Sequence, residues 1–278
     1  MSAEPPHVLD ARHEPRDANA FVYHYTSVET FRDYILPSNT LRLSPLENVN
    51  DPKESKYSQS FGYVSTSPKK LASDTIKERL REFNEELIKV ACFSRDNPNI
   101  SLQFDYSFPG YAKPTMWAHY GSAHSGVCLM FDRLKLLARF NEHFGTYPRT
   151  KAGNVNYQFL TAISRTEIRA VNRTLPPGSV VYMLDEFEAD FAQAALGRFD
   201  EYAEEMYFRK HGDWSAESEY RLLIVSESKG FEFLPFGDAL VGVATGFDML
   251  EGIRSELNAT LDESGIRRLQ MGPGWFTG

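Results

Sequence analysis

The chain has 278 residues, a formal net charge of −8 and 42% hydrophobic residues, enough for one large or two small domains with a sizeable core. The acidic charge disfavours a phosphate backbone as the general partner of the chain, and two cysteines exclude a disulfide framework. No stretch approaches the roughly 18 to 20 apolar residues of a membrane span, and the first residues form no apolar leader. We therefore expect a cytoplasmic protein that does not contact the membrane.

Residues 1–19 differ in composition from the rest of the chain. They contain Pro5, Pro6 and Pro15 among charges of both signs, which is typical of a disordered or loosely attached arm. Beyond them we find no repeat, no low-complexity tract and no linker. The sequence therefore predicts a single domain over residues 20–278.

The segment that follows the arm reads as strand, helix and strand. Apolar alternation over 21–27 predicts a short buried strand. Thr26 or Ser27 can cap the helix that follows, and Pro37 is expected to end it. A second strand is predicted over 39–44.

Further helices and strands alternate along the rest of the chain, which predicts an α+β fold with a helical insertion at about 185–210. The segment 240–245 is apolar on both faces and is expected to be a central strand. Helices are predicted over 70–89, 116–121, 134–144, 185–210, 248–257 and 262–268. Strands are predicted over 90–94, 126–132, 155–157, 179–183, 231–235 and 240–245, and one more within 214–225. The segment 179–183 could instead begin a helix.

An acid-x-acid pair, Glu217 and Glu219, stands at the predicted start of a strand. Because side chains in a strand alternate with a period of two, both carboxylates should lie on one face, with Cα atoms roughly 6 to 7 Å apart. Such a pair must be solvated, ion-paired or used in chemistry. One interpretation is ion pairing with Arg221, Arg209 or Lys210 at a sheet edge, and the other is a catalytic carboxylate pair.

Two other kinds of site deserve comparison. His119, His124, Cys92 and Cys128 could in principle bind zinc, although their spacing is not that of a zinc motif. Either cysteine could act as a nucleophile beside a histidine, but both stand in apolar runs typical of buried thiols. Neither a Walker loop nor a dinucleotide-binding glycine pattern occurs.

An ordered set of short segments resembles the bacterial domain-of-unknown-function family 2971, over most of residues 21–250. That family is itself similar to the ADP-ribosyltransferases. The segments that carry the resemblance are Tyr23–Ser27, Thr40–Ser44, Asn50–Glu54, Cys92–Ser94, Met116–Tyr120, Gly126–Asp132 and Trp214–Arg221.

The resemblance implies an ADP-ribosyltransferase-like split mixed β-sheet with flanking helices, with NAD as substrate and no metal. It places the NAD cleft between the strand of His24 and the strand of Glu219, which should lie side by side. Asn39 stands where the family usually has glycine. The implied catalytic residues are Glu219, Glu217 and His24, and the implied NAD-binding residues are His24, Tyr25, Thr26, Phe93, Ser94, Trp117 and Tyr120.

The implied activity is transfer of ADP-ribose from NAD to a macromolecular acceptor, with a protein preferred and a nucleic acid also allowed. Hydrolysis of NAD, and a non-catalytic module that binds a nucleotide or a partner, remain as alternatives. The associations of the family suggest a toxin or a phage-defence effector. Such a role would allow an antitoxin or a regulatory partner.

Overall fold

A computed structural model describes residues 19–49, 62–64, 75, 78–96, 110–158, 181–183 and 190–269, with 62–64 and 181–183 described as backbone alone. The predicted arm, except residue 19, and the segment Asn50–Glu54, which carries part of the resemblance, lie outside these residues. No helix in the described part of the chain is long and apolar enough to cross a membrane.

Helices and strands alternate through the chain. The strands are β1 (Phe21–Thr26), β2 (Thr40–Pro45), β3 (Gly62–Val64), β4 (Ile88–Arg95), β5 (Val127–Asp132), β6 (Arg149–Asn154), β7 (Asn156–Gln158), β8 (Val181–Met183), β9 (Arg209–His211), β10 (Glu219–Val225), β11 (Glu232–Pro235), β12 (Leu240–Thr245) and β13 (Arg268–Leu269). The helices are α1 (28–38), α2 (78–87), α3 (Pro114–Tyr120), α4 (Arg133–Phe144), α5 (Phe191–Tyr207) and α6 (Glu251–Glu263).

The large sheet is mixed and is built around β4. Its main path runs β11-β2-β4-β1-β5-β12-β13, and β10 and β6 extend it from the other edge of β4. The pairing of β12 with β13 is parallel, whereas the other pairings in this sheet are antiparallel. Two short parallel pairs, β3 with β8 and β7 with β9, lie apart from it.

The sheet splits along one edge of β4. Strand β2 pairs with β4 at Lys89 and Val90, and β1 pairs with the same edge at Ser94 and Arg95. Residues 91–93 of β4 have no ladder partner on that edge among the described strands. The opposite edge of β4 is paired with β10 from end to end. The strands β1 and β2 therefore diverge from each other where they leave β4.

Helix α1 begins and ends on polar residues suited to those positions. The Ser27 hydroxyl accepts from the Thr30 backbone at 3.0 Å, so Ser27 is the cap. The helix widens to a π-helix over Phe31–Ile35 and returns to α over Leu36–Ser38, so Pro37 lies inside the last turn rather than ending it. The left-handed residue Asn39, with φ of 52°, ends the helix. Asparagine is one of the few residues other than glycine that tolerate this conformation.

Helices cover both faces of the sheet and divide the core into two layers. Helices α1, α4 and α6 bury apolar side chains against one face, where Phe31, Phe140 and Leu261 are almost fully buried. On the other face, α2 and α5 pack against β10, and α3 packs against β1. We call the first the α1 face and the second the α5 face.

Several predicted elements are confirmed, including α3, α4 with Gly145 after it, and β5. Strand β12 forms as predicted but is next to last in the sheet rather than central, because only the two-residue strand β13 lies beyond it. Others differ in extent. Strand β4 begins at Ile88 because the preceding helix ends in a π-helical turn at Leu87. The two helices predicted near the end of the chain form a single helix, α6, and Arg268–Leu269 is a strand. Strand β6 was not predicted, because its residues are polar and only partly buried.

Candidate active site

The two carboxylates of the acid-x-acid pair meet at one lysine. Glu217 ends a 3-10 turn, Ser218 adopts a left-handed conformation with φ of 46°, and Glu219 begins β10. The Lys210 Nζ donates to Glu217 Oε2 at 2.8 Å and lies 3.4 Å from Glu219 Oε2. Both glutamates are buried. The pair therefore shares one cation instead of repelling across the turn.

Glu219 uses the full acceptor capacity of its carboxylate. Arg221 donates from Nε to Oε1 at 2.7 Å and from Nη2 to Oε2 at 2.9 Å. Lys210 supplies a third donor, and the Cys92 thiol supplies a fourth. A carboxylate offers about four lone-pair positions. A substrate hydroxyl could bind Glu219 only by displacing one of these donors.

Glu217 is less fully engaged through its side chain. The Tyr120 hydroxyl donates to its Oε1 at 2.8 Å, and Lys210 donates to its Oε2. Its backbone carbonyl accepts from Lys113 Nζ at 3.0 Å and from Ser94 Oγ at 2.7 Å. The carbonyl contacts hold the turn in place, while the carboxylate accepts from only these two donors within the described residues, fewer than its four lone-pair positions allow.

The electrostatics of the site keep Glu219 charged. Burial by itself would raise the pKa of Glu219, but the Arg221 and Lys210 charges and the hydrogen bonds outweigh burial and hold it well below the usual range. Lys113 has the opposite balance. Burial, with the nearby Arg95 charge, lowers the pKa of Lys113 to about 7, although Asp96 and Glu217 act against this shift.

The five side chains that meet around the two glutamates are called the carboxylate cluster below. They are Glu217, Glu219, Lys210, Arg221 and Tyr120.

His24 does not share this cluster. Strand β4 lies between β1 and β10, so the expectation that the strands of His24 and Glu219 lie side by side is wrong. Tyr23 and Glu219 stand opposite Ser94 on its two sides and therefore point to the same face. His24, one residue further along β1, points to the α1 face. The expected single cleft open to both His24 and Glu219 is therefore contradicted as well.

The position of His24 at the split is nevertheless well defined. Its Nδ1 lies 3.1 Å from the Cys92 carbonyl, so Nδ1 carries the proton, and its ring packs 5.8 Å from the Phe93 ring between centroids. Burial lowers the pKa of His24, with the carbonyl contact acting against that shift, so the ring is neutral at pH 7. His24 and Glu219 thus contact different atoms of one residue, Cys92.

The aromatic residues assigned to NAD binding fall into separate environments. Trp117 and Tyr25 pack edge to face with centroids 5.0 Å apart, and both are buried in the core under α3. The Tyr25 hydroxyl donates to the Gly110 carbonyl at 2.6 Å. Phe93 is buried on the α1 face, while Thr26 is partly exposed at the end of β1. Of the residues assigned to NAD binding, Tyr120 belongs to the carboxylate cluster, and Ser94 contacts the backbone of Glu217.

The ion-paired interpretation of the two glutamates is confirmed for Lys210 and Arg221, but β10 is an interior strand rather than a sheet edge. Two further residues, which contact the backbone of Glu217 and Glu219, were not predicted from the sequence. Lys113 lies in a loop about a hundred residues away, and the Tyr157 hydroxyl accepts from the Glu219 backbone amide at 2.8 Å. Neither residue stands in a pattern that marks it, so the sequence offered no signal for them.

The residues considered for zinc do not assemble. In the described part of the chain, no group of three or more His, Cys, Asp or Glu side chains is arranged to hold a metal ion. Cys128 is fully buried, and burial raises the pKa of its thiol, which disfavours a nucleophilic thiolate. Cys92 is partly exposed and donates to Glu219.

Comparison with known proteins finds one relationship. Residues 116–222 match the model of a family described as Protein of unknown function (DUF2971). No curated protein and no solved structure matches the chain. The matched segment contains Tyr120, Glu217 and Glu219 and excludes His24. The resemblance to this family is thus supported over residues 116–222, a shorter range than the sequence segments suggested.

Proposed function

We propose that this protein transfers ADP-ribose from NAD to a macromolecular acceptor, at the carboxylate cluster on the α5 face. The observation that carries the proposal is the convergence of Glu217 and Glu219 on Lys210, with Glu219 held ionised by Arg221. Cleavage of the bond between nicotinamide and ribose develops positive charge on the ribose. Fixed carboxylates stabilise such an oxocarbenium-like state without a metal.

The acceptor positions suggest a division of roles within the pair. Among the described residues two donors reach the Glu217 carboxylate, which leaves lone-pair positions for another group, so we assign Glu217 the contact with the ribose or with the acceptor nucleophile. As the bond to nicotinamide breaks, its electron pair passes to the ring nitrogen. The nucleophile then bonds to the ribose carbon and gives its proton to a carboxylate. Glu219 maintains the local negative charge and positions Lys210.

The residues predicted to contact NAD support the proposal to different degrees. Tyr120 and Ser94 already touch Glu217 and belong to the same face of the sheet. His24 becomes a positioning residue, because it holds the carbonyl of Cys92, whose thiol donates to Glu219. The split between β1 and β2 at β4 resembles the split sheet expected for this class and supports the proposal. Contacts of NAD with Tyr25, Thr26, Phe93 and Trp117 stay predictions.

The test is incubation of the purified protein with cell lysate and NAD labelled in its adenylate phosphate. Wild type should transfer label to macromolecules, and Glu217→Gln should reduce transfer by at least about 100-fold, a typical contribution of a positioned acid or base. The matched control is Glu232→Gln, because Glu232 is also hydrogen-bonded but lies on β11, at the far edge of the sheet. Thermal unfolding of each variant checks that it is folded.

The outcomes separate the acceptors and the reactions. Label removed by protease indicates a protein acceptor, and label removed only by nuclease indicates a nucleic acid. Nicotinamide release without transferred label indicates hydrolysis of NAD. Full transfer activity in folded Glu217→Gln contradicts the assigned role of the pair.

A second function, a nucleotide-binding or partner-binding module without turnover, is favoured by one observation. All acceptor positions of Glu219 are engaged, as expected for a carboxylate used in structure. This function predicts that NAD raises the unfolding temperature of the wild type while its concentration stays constant over hours. Consumption of NAD that depends on Glu217 would exclude it.

A toxin or phage-defence role, with an antitoxin or regulatory partner, is the cellular part of the proposal. It predicts that expression of the wild type slows bacterial growth and that Glu217→Gln relieves the effect at equal protein level. Equal growth inhibition by both proteins would contradict a role based on this chemistry.

A further inference from the structure

Two arginines lie together at one end of the sheet, on the side of β4 away from the carboxylate cluster. Arg95 ends β4 and stands opposite Val22 of β1, whose side chain belongs to the core of the α1 face. Arg133 begins α4, directly after β5. Both guanidinium groups contact Asn19. The Arg95 Nη1 donates to the Asn19 Oδ1 at 3.4 Å, and the Arg133 Nε donates to the Asn19 backbone carbonyl.

Neither arginine is neutralised by a carboxylate of the described residues, since none forms an ion pair with Arg95 or Arg133. Arg95 contacts Asn19, and Arg133 contacts Asn19 and the Tyr220 hydroxyl. Arg133 also lies with its Cζ 5.9 Å from the centre of the Tyr220 ring. Other arginines of the fold are paired with acids, such as Arg139 with Asp238 and Glu142. Two neighbouring cations without a counter-charge repel each other.

Arg95 contributes a buried donor that finds no acceptor in the described part of the chain. Its side chain is buried, with 9% of the residue exposed, and its Nε has no hydrogen-bond partner there. A buried unsatisfied donor costs free energy, so such a group is expected to have a use. Burial lowers the pKa of Arg95, and the charge of Arg133 lowers it further. Arg133 is partly exposed, so the pair can be reached from solvent.

We infer that Arg95 and Arg133 form a binding site for a phosphate-class oxyanion. The planar guanidinium group matches the geometry of phosphate oxygens and donates two parallel hydrogen bonds to them. An oxyanion here would satisfy the Nε of Arg95, neutralise the repulsion and accept from Arg133. The two side chains lie on the α1 face, opposite the carboxylates of Glu217 and Glu219, although the Arg95 backbone amide donates to the Ser218 carbonyl at 3.0 Å. The inference uses neither glutamate and does not rest on the proposed transferase chemistry.

The test measures thermal unfolding and calorimetric binding with inorganic phosphate and with pyrophosphate, at ionic strength matched with sodium chloride. At about ten times the dissociation constant, the wild-type unfolding temperature should rise by roughly 3 to 5 °C. Tighter binding of pyrophosphate than of phosphate would indicate a diphosphate ligand, and equal binding a single phosphate group.

The variants locate the effect. Arg133→Gln should weaken anion binding by at least about 10-fold, the loss expected for one charge-assisted hydrogen bond. Arg95→Lys keeps the charge but removes the buried Nε donor, and should also weaken binding. Arg139→Gln is the matched control, since it removes an arginine of the same helix that is already ion-paired, and should bind as wild type does.

Two results would overturn the inference. One is a wild-type response to phosphate and pyrophosphate no larger than the response to sodium chloride. The other is anion binding by folded Arg133→Gln that equals binding by Arg139→Gln. Because no NAD is present in these measurements, either result leaves the proposed transferase function unaffected.

Discussion

At the scale of single residues, Glu219 is the carboxylate on which the buried charges depend. Glu219→Gln would leave Arg221 and Lys210 buried with less compensation, so we expect the free energy of unfolding to fall by about 3 to 5 kcal/mol. Urea denaturation at pH 7 measures this change. The control Glu201→Gln, in an exposed pair with Arg198, should change stability by less than about 0.5 kcal/mol. A loss in Glu219→Gln no greater than in this control would contradict the assigned network.

A second prediction at this scale concerns Lys113 and the pH dependence of folding stability. Its folded pKa of about 7 lies below its ordinary value of 10.5, so between these values the unfolded chain binds the proton and the folded chain does not. Stability should therefore rise with pH across this window, by at most about 1.4 kcal/mol per pH unit from this group. Lys113→Met should remove that contribution.

The measurement is denaturant unfolding of wild type and Lys113→Met from pH 6 to 9.5. The difference in stability between the two proteins should change in favour of wild type as pH rises through 7. Lys135→Met, which removes an exposed lysine of α4 paired with Asp238, should follow the wild-type profile. A constant difference between wild type and Lys113→Met would show that Lys113 has an ordinary pKa in the folded state.

At the scale of elements, the join between β12 and α6 requires a glycine. A Cβ on Gly246 would lie 2.1 Å from the His124 backbone oxygen, whereas a Cβ on Gly252, inside α6, would meet no atom within 4 Å. Gly246→Ala must therefore displace backbone and should destabilise the protein by at least about 2 kcal/mol. Gly252→Ala should stabilise it by up to about 1 kcal/mol, through helix propensity. Thermal unfolding compares the two, and equal effects would contradict this packing.

At the scale of the whole molecule, β4 organises the sheet. It is paired along one edge with β10 and along the other with β1 and β2, while β11 lies at one end of the strand order. Backbone amides that are bonded in the ladder between β4 and β10 should therefore open only in global unfolding, and those of β11 in smaller local openings. Hydrogen exchange followed by mass spectrometry should show at least about 10-fold slower exchange in β4 than in β11. Equal protection would indicate that β11 is joined to the core as firmly as the central strands.

The sequence by itself determined the local elements and part of the site. The limits of α3, α4 and β5 follow from periodicity and from turn glycines, because helices and strands repeat every 3.6 and 2 residues. The pairing of the two glutamates with Lys210 and Arg221 was also accessible, since all four residues lie within a dozen positions of one another.

Only the tertiary structure decided which strands are neighbours and which faces their side chains share. Residue periodicity does not encode strand order, so nothing in the sequence showed that β4 separates the strand of His24 from that of Glu219. For the same reason Lys113 and Tyr157 were not recognised as neighbours of the glutamates. Distant segments meet because the sheet must bury apolar side chains on both faces, and that requirement acts on the chain as a whole.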